Sequence, residues 1–328
     1  MTSEAFVSVV TPFHDSEPYL AECIESVLAQ THRNFEYVLL DNASTDRGGA
    51  IAAHYAARDN RIRLLRSDVL RDQVANYNHA LRQISPDSRH VKIVQADDWI
   101  YPGCLAEMTT LAEAHPVVAV VSSYELRGRD VVGTGLAAER TVISGREACR
   151  LHLLDGVFLF GSPTTVMYRA DLVRGRDDFF PLGRLHEDTE IIYELLRAHD
   201  LGFVHQVLSF TRQQEGSITS AARSYNPIWL DRLILTSRFG ADFLTEEERA
   251  LVLEDDLTRY YDSLARAVYE RRGAPYWDYQ RRGLATIGGA HGRIDRVRLA
   301  KAIVVFAFKA ALSPAGALRA LRGLSKRG

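Results

Sequence analysis

Val91-Lys92-Ile93-Val94-Gln95-Ala96-Asp97-Asp98-Trp99 is the stretch on which the reading of this chain turns. Its apolar run, Ile93-Val94, leads straight into two adjacent carboxylates, and Pro102-Gly103 opens a new segment. A short apolar run of this kind is expected of a strand buried on both faces of a parallel sheet. In open α/β sheets, ligands bind beyond the carboxyl ends of the strands. Two acids placed there suit an oxygen-seeking divalent cation, which takes one or two carboxylates and completes its shell with water and phosphate oxygens. The plainer alternative is a solvated turn with Asp as a helix cap.

Outward from this stretch, strand-like and helix-like segments alternate. Phe6–Val10, Phe35–Leu40, Ile62–Leu65 and Val117–Val121 read as further buried strands. Apolar residues at three-and-four spacing mark the helices between them: Tyr19, Leu20, Cys23, Ile24, Val27 and Leu28, then Ile51, Ala52, Tyr55 and Ala56. Val74–Leu81 and Leu105–Ala112 continue the series. Such alternation predicts an α/β fold with an open, mostly parallel sheet flanked by helices. After Tyr124 the pattern changes. Arg129–Gly135 reads as a hairpin or loop, Glu147–Leu154 as a helix, Thr164–Tyr168 as a strand and Asp171–Gly183 as a charged connection. His186–Glu190 starts another helix, Leu201–Phe210 reads as a last strand, and Thr211–Ser220 as a polar loop. The expected organisation is an α/β domain over 1–220, with a ligand-binding half (1–125) and a second half (126–220). A helical C-terminal extension follows over 221–328.

The 328 residues are 46% hydrophobic and 25% charged, as in a globular protein, and a net charge of −2 gives no argument for nucleic acid as a partner. The three cysteines are scattered, which fits buried thiols in a reducing compartment. No basic and apolar leader follows Met1, and no apolar run reaches membrane-spanning length, so the expected location is cytoplasmic. The tail differs from the rest. Arg293, Arg296, Arg298, Lys301, Lys309, Arg319, Arg322, Lys326 and Arg327 are interleaved with apolar residues, against one acid, Asp295. It reads either as a helix packed on the protein or a second subunit, or as a peripheral contact with the inner face of a membrane.

The chain lacks the dinucleotide fingerprint G-x-G-x-x-G, the phosphate loop G-x-x-x-x-G-K-[ST], the zinc motif H-E-x-x-H and the nucleophile motif G-x-S-x-G. Thr11, Asp41, Asp97 and Asp98 instead end successive strands, which converge on one edge of a parallel sheet. An Asp there can accept a hydrogen bond from a nucleobase N–H. A metal held by the paired acids can stabilise charge on a departing diphosphate.

Val9-Val10-Thr11-Pro12-Phe13, Tyr19-Leu20-x-x-Cys23-Ile24-x-Ser26-Val27-Leu28-x-Gln30-Thr31 and Phe35-Glu36-x-Val38-Leu39-Leu40-Asp41-Asn42-Ala43-Ser44-Thr45-Asp46 together resemble the opening of family 2 glycosyltransferases. The resemblance covers about the first 125 residues, with weaker motifs to roughly 220. It implies a GT-A fold and inverting transfer of a sugar from a nucleotide-sugar donor, with a UDP-sugar the first choice. The acceptor would be a hydroxyl of a saccharide or lipid-linked glycan. Thr11, Pro12 and Phe13 would line the nucleotide pocket, Asp41 would meet the base, and Arg71 and Asn78 would match donor-side positions. Asp97-Asp98 corresponds to the family's metal signature for Mg²⁺ or Mn²⁺. Gln95 stands where many members carry a further Asp, which leaves Asp98 as the expected direct ligand and Asp97 nearer the sugar or ribose. His186-Glu187-Asp188 resembles the family's acidic pair in the acceptor half, with Asp188 as general base and Glu187 orienting it or touching the acceptor. Arg212 falls in a loop near the diphosphate. Trp99 could stack on a sugar, although core packing is the simpler reading.

Three other readings remain at this level. One is a nucleotide- or glycan-binding protein on the same scaffold without turnover. Another is a nucleotidyltransferase, for which the glycine-rich basic loop after the first strand is missing. The third is a membrane-associated scaffold acting through the tail.

Overall fold

The computed structural model describes residues 4–184, 186–213, 225 and 227–312, and the chain divides into two compact units, Met1–Gln214 and Glu215–Gly328. In the first unit the strands are β1 (Val7–Phe13), β2 (Phe35–Asn42), β3 (Ile62–Ser67), β4 (His90–Ile93) and β5 (Trp99–Ile100). They continue with β6 (Val118–Arg127), β7 (Asp130–Val132), β8 (Val142–Ile143), β9 (Met167–Arg169) and β10 (Asp200–Thr211). The sheet runs β3-β2-β1-β4-β9-β6-β10-β5, with β7 on β6 and β8 on β10. Pairs β1–β2, β2–β3, β1–β4 and β6–β10 are parallel, whereas β9 lies antiparallel between β4 and β6. All residues of β1 and β2 are buried, as their unbroken apolar runs require of strands covered on both faces.

Helices α1 (Leu20–Leu28), α2 (Gly48–Ala56), α3 (Gln73–Leu81) and α4 (Cys104–Ala114) connect the first strands. Helix α1 places Leu20, Cys23, Ile24 and Val27 in the core with Val7, Val9 and Tyr37, so its three-and-four spacing is a record of one buried face. All three cysteines are buried and free.

The second half of this unit departs in detail from the sequence reading. The strand expected over Thr164–Tyr168 is only Met167–Arg169, and Thr164 and Thr165 form a turn before it. β6 runs ten residues to Arg127, where the sequence pattern suggested an end near Val121. The helix expected over Glu147–Leu154 is α5 (Gly145–Arg150) followed by a π-turn, Leu151–Asp155, and it stops at Gly156 with φ 72°. The charged connection contains α6 (Ala170–Arg174). Most of the loop expected after Thr211 lies outside the described residues.

The second unit holds helices α8 (Ile228–Phe243), α9 (Glu246–Tyr269), α10 (Ala274–Ala285) and α11 (Arg296–Leu312). Thr245 and Glu248 form a reciprocal capping box at the start of α9. The buried Asp256 carboxylate joins α9 to α8 by accepting from Arg232 Nε at 2.9 Å and Thr236 Oγ1 at 2.6 Å.

Gly145 decides how α5 meets α7 (Glu187–Leu196), the helix that carries the candidate base. A Cβ there would stand 2.2 Å from the main-chain oxygens of both Leu196 and His199. Gly145→Ala should therefore cost about 1–3 kcal/mol, as overpacking does, and lower the denaturation midpoint. An unchanged midpoint would mean that α5 can withdraw from α7 freely.

Candidate active site

The ends of β1 and β2 form the first part of the site. Thr11 is fully buried; its hydroxyl donates to the Val94 carbonyl at 2.7 Å and lies 3.0 Å from Tyr37 Oη, so it ties β1 to the end of β4. Pro12 is buried, and Phe13 is part of the hydrophobic core. Asp41 is also buried. Its carboxylate accepts from Ser44 N at 2.8 Å and lies 3.5 Å from the Arg66 guanidinium. Gly49 lets α2 start against this carboxylate, since a Cβ there would be 2.9 Å from Asp41 Oδ2. Asp15, in the loop after β1, accepts from Thr45 N at 2.7 Å and so clasps the loop after β2.

The two acids after β4 have unlike surroundings. Asp98 is 2% exposed. Its Oδ2 accepts from Thr164 Oγ1 at 2.6 Å and Thr211 Oγ1 at 3.4 Å, and its Oδ1 from Arg212 N at 3.0 Å. Burial, with the neighbouring charge of Asp97 second, pushes the Asp98 carboxyl up to about 7. Asp97 is only partly buried. Arg212 Nε donates to the Asp97 carbonyl at 3.0 Å, and its guanidinium pairs with Glu22. That guanidinium lies 4.5 Å from the Tyr19 ring centroid, beside Trp99 and Phe210, which stack 4.1 Å apart. Trp99 thus has an aromatic packing partner.

Arg71 and Asn78 take bracing positions. Asn42 holds the Arg71 main chain from both sides, at 2.9 and 3.0 Å, which links α3's start to the end of β2. Asn78 is buried and grips the Phe180 main chain with both amide atoms, donating and accepting at 2.8 Å. Next to it, Tyr77 Oη accepts from Gln95 Nε2 at 2.9 Å while its ring lies 5.8 Å from that of Phe180.

Helix α7 begins with Glu187, Asp188 and Glu190 in its first turn, where acids complement the helix N-terminus. Asp188 Oδ1 accepts from Thr189 N at 2.7 Å. Burial, then the charge of Asp188, raises the Glu187 carboxyl to about 7. The structure thus gathers Thr11, Asp97, Asp98, Trp99 and Arg212 around the ends of β1, β4 and β10. Glu187 and Asp188 stand on a separate element, the first turn of α7.

Several site residues escaped the sequence reading. Glu125, fully buried on β6, accepts from Arg127 Nε at 3.0 Å and Thr165 Oγ1 at 2.8 Å. Ser162 bridges Thr165 and Thr211 at 3.2 and 3.1 Å, which connects this web to Asp98. The only signal for it was a run of hydroxyl residues, Ser162–Thr165, in an otherwise apolar stretch.

The residues present fit a magnesium- or manganese-type ion held mainly by its ligand's phosphates, but not a metal caged by protein. No group of three or more His, Cys, Asp or Glu side chains among the described residues could hold a cation alone. Such ions need only one or two carboxylates. Asp97, partly exposed, and Asp98, whose two oxygens accept protein hydrogen bonds, are the two carboxylates at this turn.

The chain belongs to glycosyl transferase family 2, whose model matches residues 8–176. It is 25% identical over 225 residues to the glycosyltransferase GlyG of Streptococcus pneumoniae, covering 65% of this chain and 72% of GlyG. To the putative glycosyltransferase EpsE of Bacillus subtilis it is 32% identical over 179 residues, covering 53% of this chain and 60% of EpsE. Among solved structures, S. aureus TarS 1-349 in complex with UDP-GlcNAc superposes with a TM-score of 0.63 at 19% identity, over 92% of this chain and 88% of that one. The mannosyltransferase PcManGT from Pyrobaculum calidifontis, in complex with GDP-Man and Mn²⁺, gives 0.55 at 16% identity, over 99% and 81%. These likenesses establish the GT-A fold and a glycosyltransferase.

Two outcomes follow from this geometry. Asn78→Ala strands the buried Phe180 N–H and carbonyl and should cost about 2–4 kcal/mol in denaturant unfolding; a loss below about 0.5 kcal/mol would show that water replaces the amide. Glu187 gives a pH signature. The folded protein keeps its proton to higher pH than the unfolded chain, so its contribution is present below the ordinary glutamate range and is lost as pH rises through 7. Glu187→Gln should therefore stabilise the protein above pH 7 by about 1–2 kcal/mol, allowing for solvent screening, and leave stability near pH 4 unchanged. Equal midpoints for the two proteins at pH 8 would contradict the raised carboxyl.

Proposed function

We propose that this glycosyltransferase is an inverting, metal-dependent enzyme that takes its sugar from a nucleoside-diphosphate donor, with a UDP-sugar first, and delivers it to a hydroxyl of a saccharide or lipid-linked saccharide in the cytoplasm. The observation that carries this reading is the unlike pair after β4, with Asp98 built into the scaffold and Asp97 left at the surface beside Arg212. That TarS was solved with UDP-GlcNAc and PcManGT with GDP-Man and Mn²⁺ supports the donor class. Residues 1–220 form the transferase domain in this reading, 1–125 its donor half and 126–220 its acceptor half, with 221–328 the helical extension.

Asp97 is the metal-facing acid here, and Asp98 holds the turn that presents it. A divalent cation bound there supplies positive charge to the diphosphate as it leaves. Arg212 gives the diphosphate a second cation, and Asp41 and Arg66 face the base. Asp188 accepts the proton of the acceptor hydroxyl as that oxygen bonds to the anomeric carbon and the bond to the diphosphate breaks. Glu187, raised to about 7, carries less like charge beside that base than an ordinary glutamate would. Attack opposite the leaving group inverts the centre.

Melting of the protein with UDP, GDP, CDP and dTDP, each with and without Mn²⁺, tests the donor half. One nucleotide at a hundredfold its Kd should stabilise by about 2.7 kcal/mol with metal, and Asp97→Ala should remove the metal-dependent part. Asp188→Asn should lower kcat about 10²–10⁴-fold while keeping that nucleotide shift. No shift with any nucleotide would favour a binding protein without turnover.

A further inference from the structure

Helix α11 is apolar on two faces, and only one of them has a partner among the described residues. Along it, Leu299, Ala302, Ile303 and Phe306 are shielded, with Arg298 paired to Glu254 and Phe306 packed 5.6 Å from the Tyr269 ring of α9. Val297, Val304 and Phe308 lie about 170° away on the helical wheel. They recur at seven-and-four spacing and are 64%, 68% and 66% exposed. Three large apolar side chains this exposed in a row are an unusual outlay for a face that meets only water.

The charges beside this stripe identify what it meets. Arg293, Arg296, Lys301 and Lys309 are exposed, and none is in an ion pair among the described residues. Residues 293–328 carry nine Lys and Arg against one acid in a chain whose net charge is −2. A protein partner of this apolar stripe would also have to neutralise that excess, whereas an anionic lipid surface offers acyl chains and headgroup charge together. No helix among the described residues is long and apolar enough to cross a membrane, so the contact is one of lying on the surface.

We infer that the outer face of α11 docks on an anionic lipid bilayer, with Val297, Val304 and Phe308 in the headgroup–acyl boundary and Lys301 and Lys309 on lipid phosphates. The inference is independent of the donor chemistry, since it rests on a different unit of the chain.

Co-sedimentation of the full chain with phosphatidylcholine vesicles, with and without phosphatidylglycerol, tests it. The protein should pellet with the anionic vesicles and stay in solution with the neutral ones, and high salt should release it. Val304→Asp with Phe308→Asp should reduce the bound fraction at least about tenfold without moving the melting temperature, because both side chains are exposed. Lys301→Glu with Lys309→Glu should weaken binding to the anionic vesicles by a similar factor. Wild type left in solution with both vesicles, or a Val304→Asp/Phe308→Asp protein that binds like wild type, overturns the inference. So does a lipid-free dimer of the wild type that this double variant dissociates, since the stripe would then be a subunit interface.

Discussion

The structure depends above all on one carboxylate, that of Asp98. Its partners are Thr164, Thr211 and the main chain of Arg212, which lie 66, 113 and 114 residues away in sequence. Burying an acid is costly unless its oxygens are satisfied, so these contacts hold only when the turn after β4, the turn before β9 and the end of β10 meet at the same point. Through Thr211, Ser162 and Thr165 the web reaches Glu125 and Arg127. A buried polar network of this kind is stiff when complete and costly when broken. It makes residues 126–213 a condition for the shape of the turn after β4.

Much of the fold of residues 1–125 could be read in the sequence because each element there carries its own signal. Strands β1 and β2 are continuous apolar runs and α1 has a single buried stripe, so local pattern and tertiary position agree. Antiparallel β5 and β9 have only two and three residues, too few for any period to show. They are strands only because β10, β4 and β6 lie beside them. In the same way Asp41, Asp97 and Asp98 stood out as polar residues ending apolar runs. Glu125 and Thr164 did not, since a lone polar residue inside a strand or turn looks like a solvent-facing one until its partners are placed. Asn78 was visible through the family likeness, yet that it clamps Phe180 is a fact of three dimensions.

Resemblance also set the roles of the two adjacent acids, and burial is what distinguishes them. The resemblance made Asp98 the expected ligand and placed Asp97 nearer the sugar or ribose. In the fold Asp98 is enclosed and hydrogen-bonded, and Asp97 is the one that reaches solvent. A buried acid is held at low cost only while its hydrogen bonds are kept, whereas a partly exposed one keeps an open approach from solvent.

The same distinction bears on how two carboxylates can stand side by side. If both faced solvent as free ions, their repulsion would loosen the turn, and if both were buried, one would need to carry a proton. Here Thr164, Thr211 and Arg212 N supply donors to Asp98, and the Arg212 guanidinium is held next to the Asp97 main chain. Gln95 adds to the same scaffold, since its amide donates to Tyr77 Oη at 2.9 Å and so joins the turn to α3.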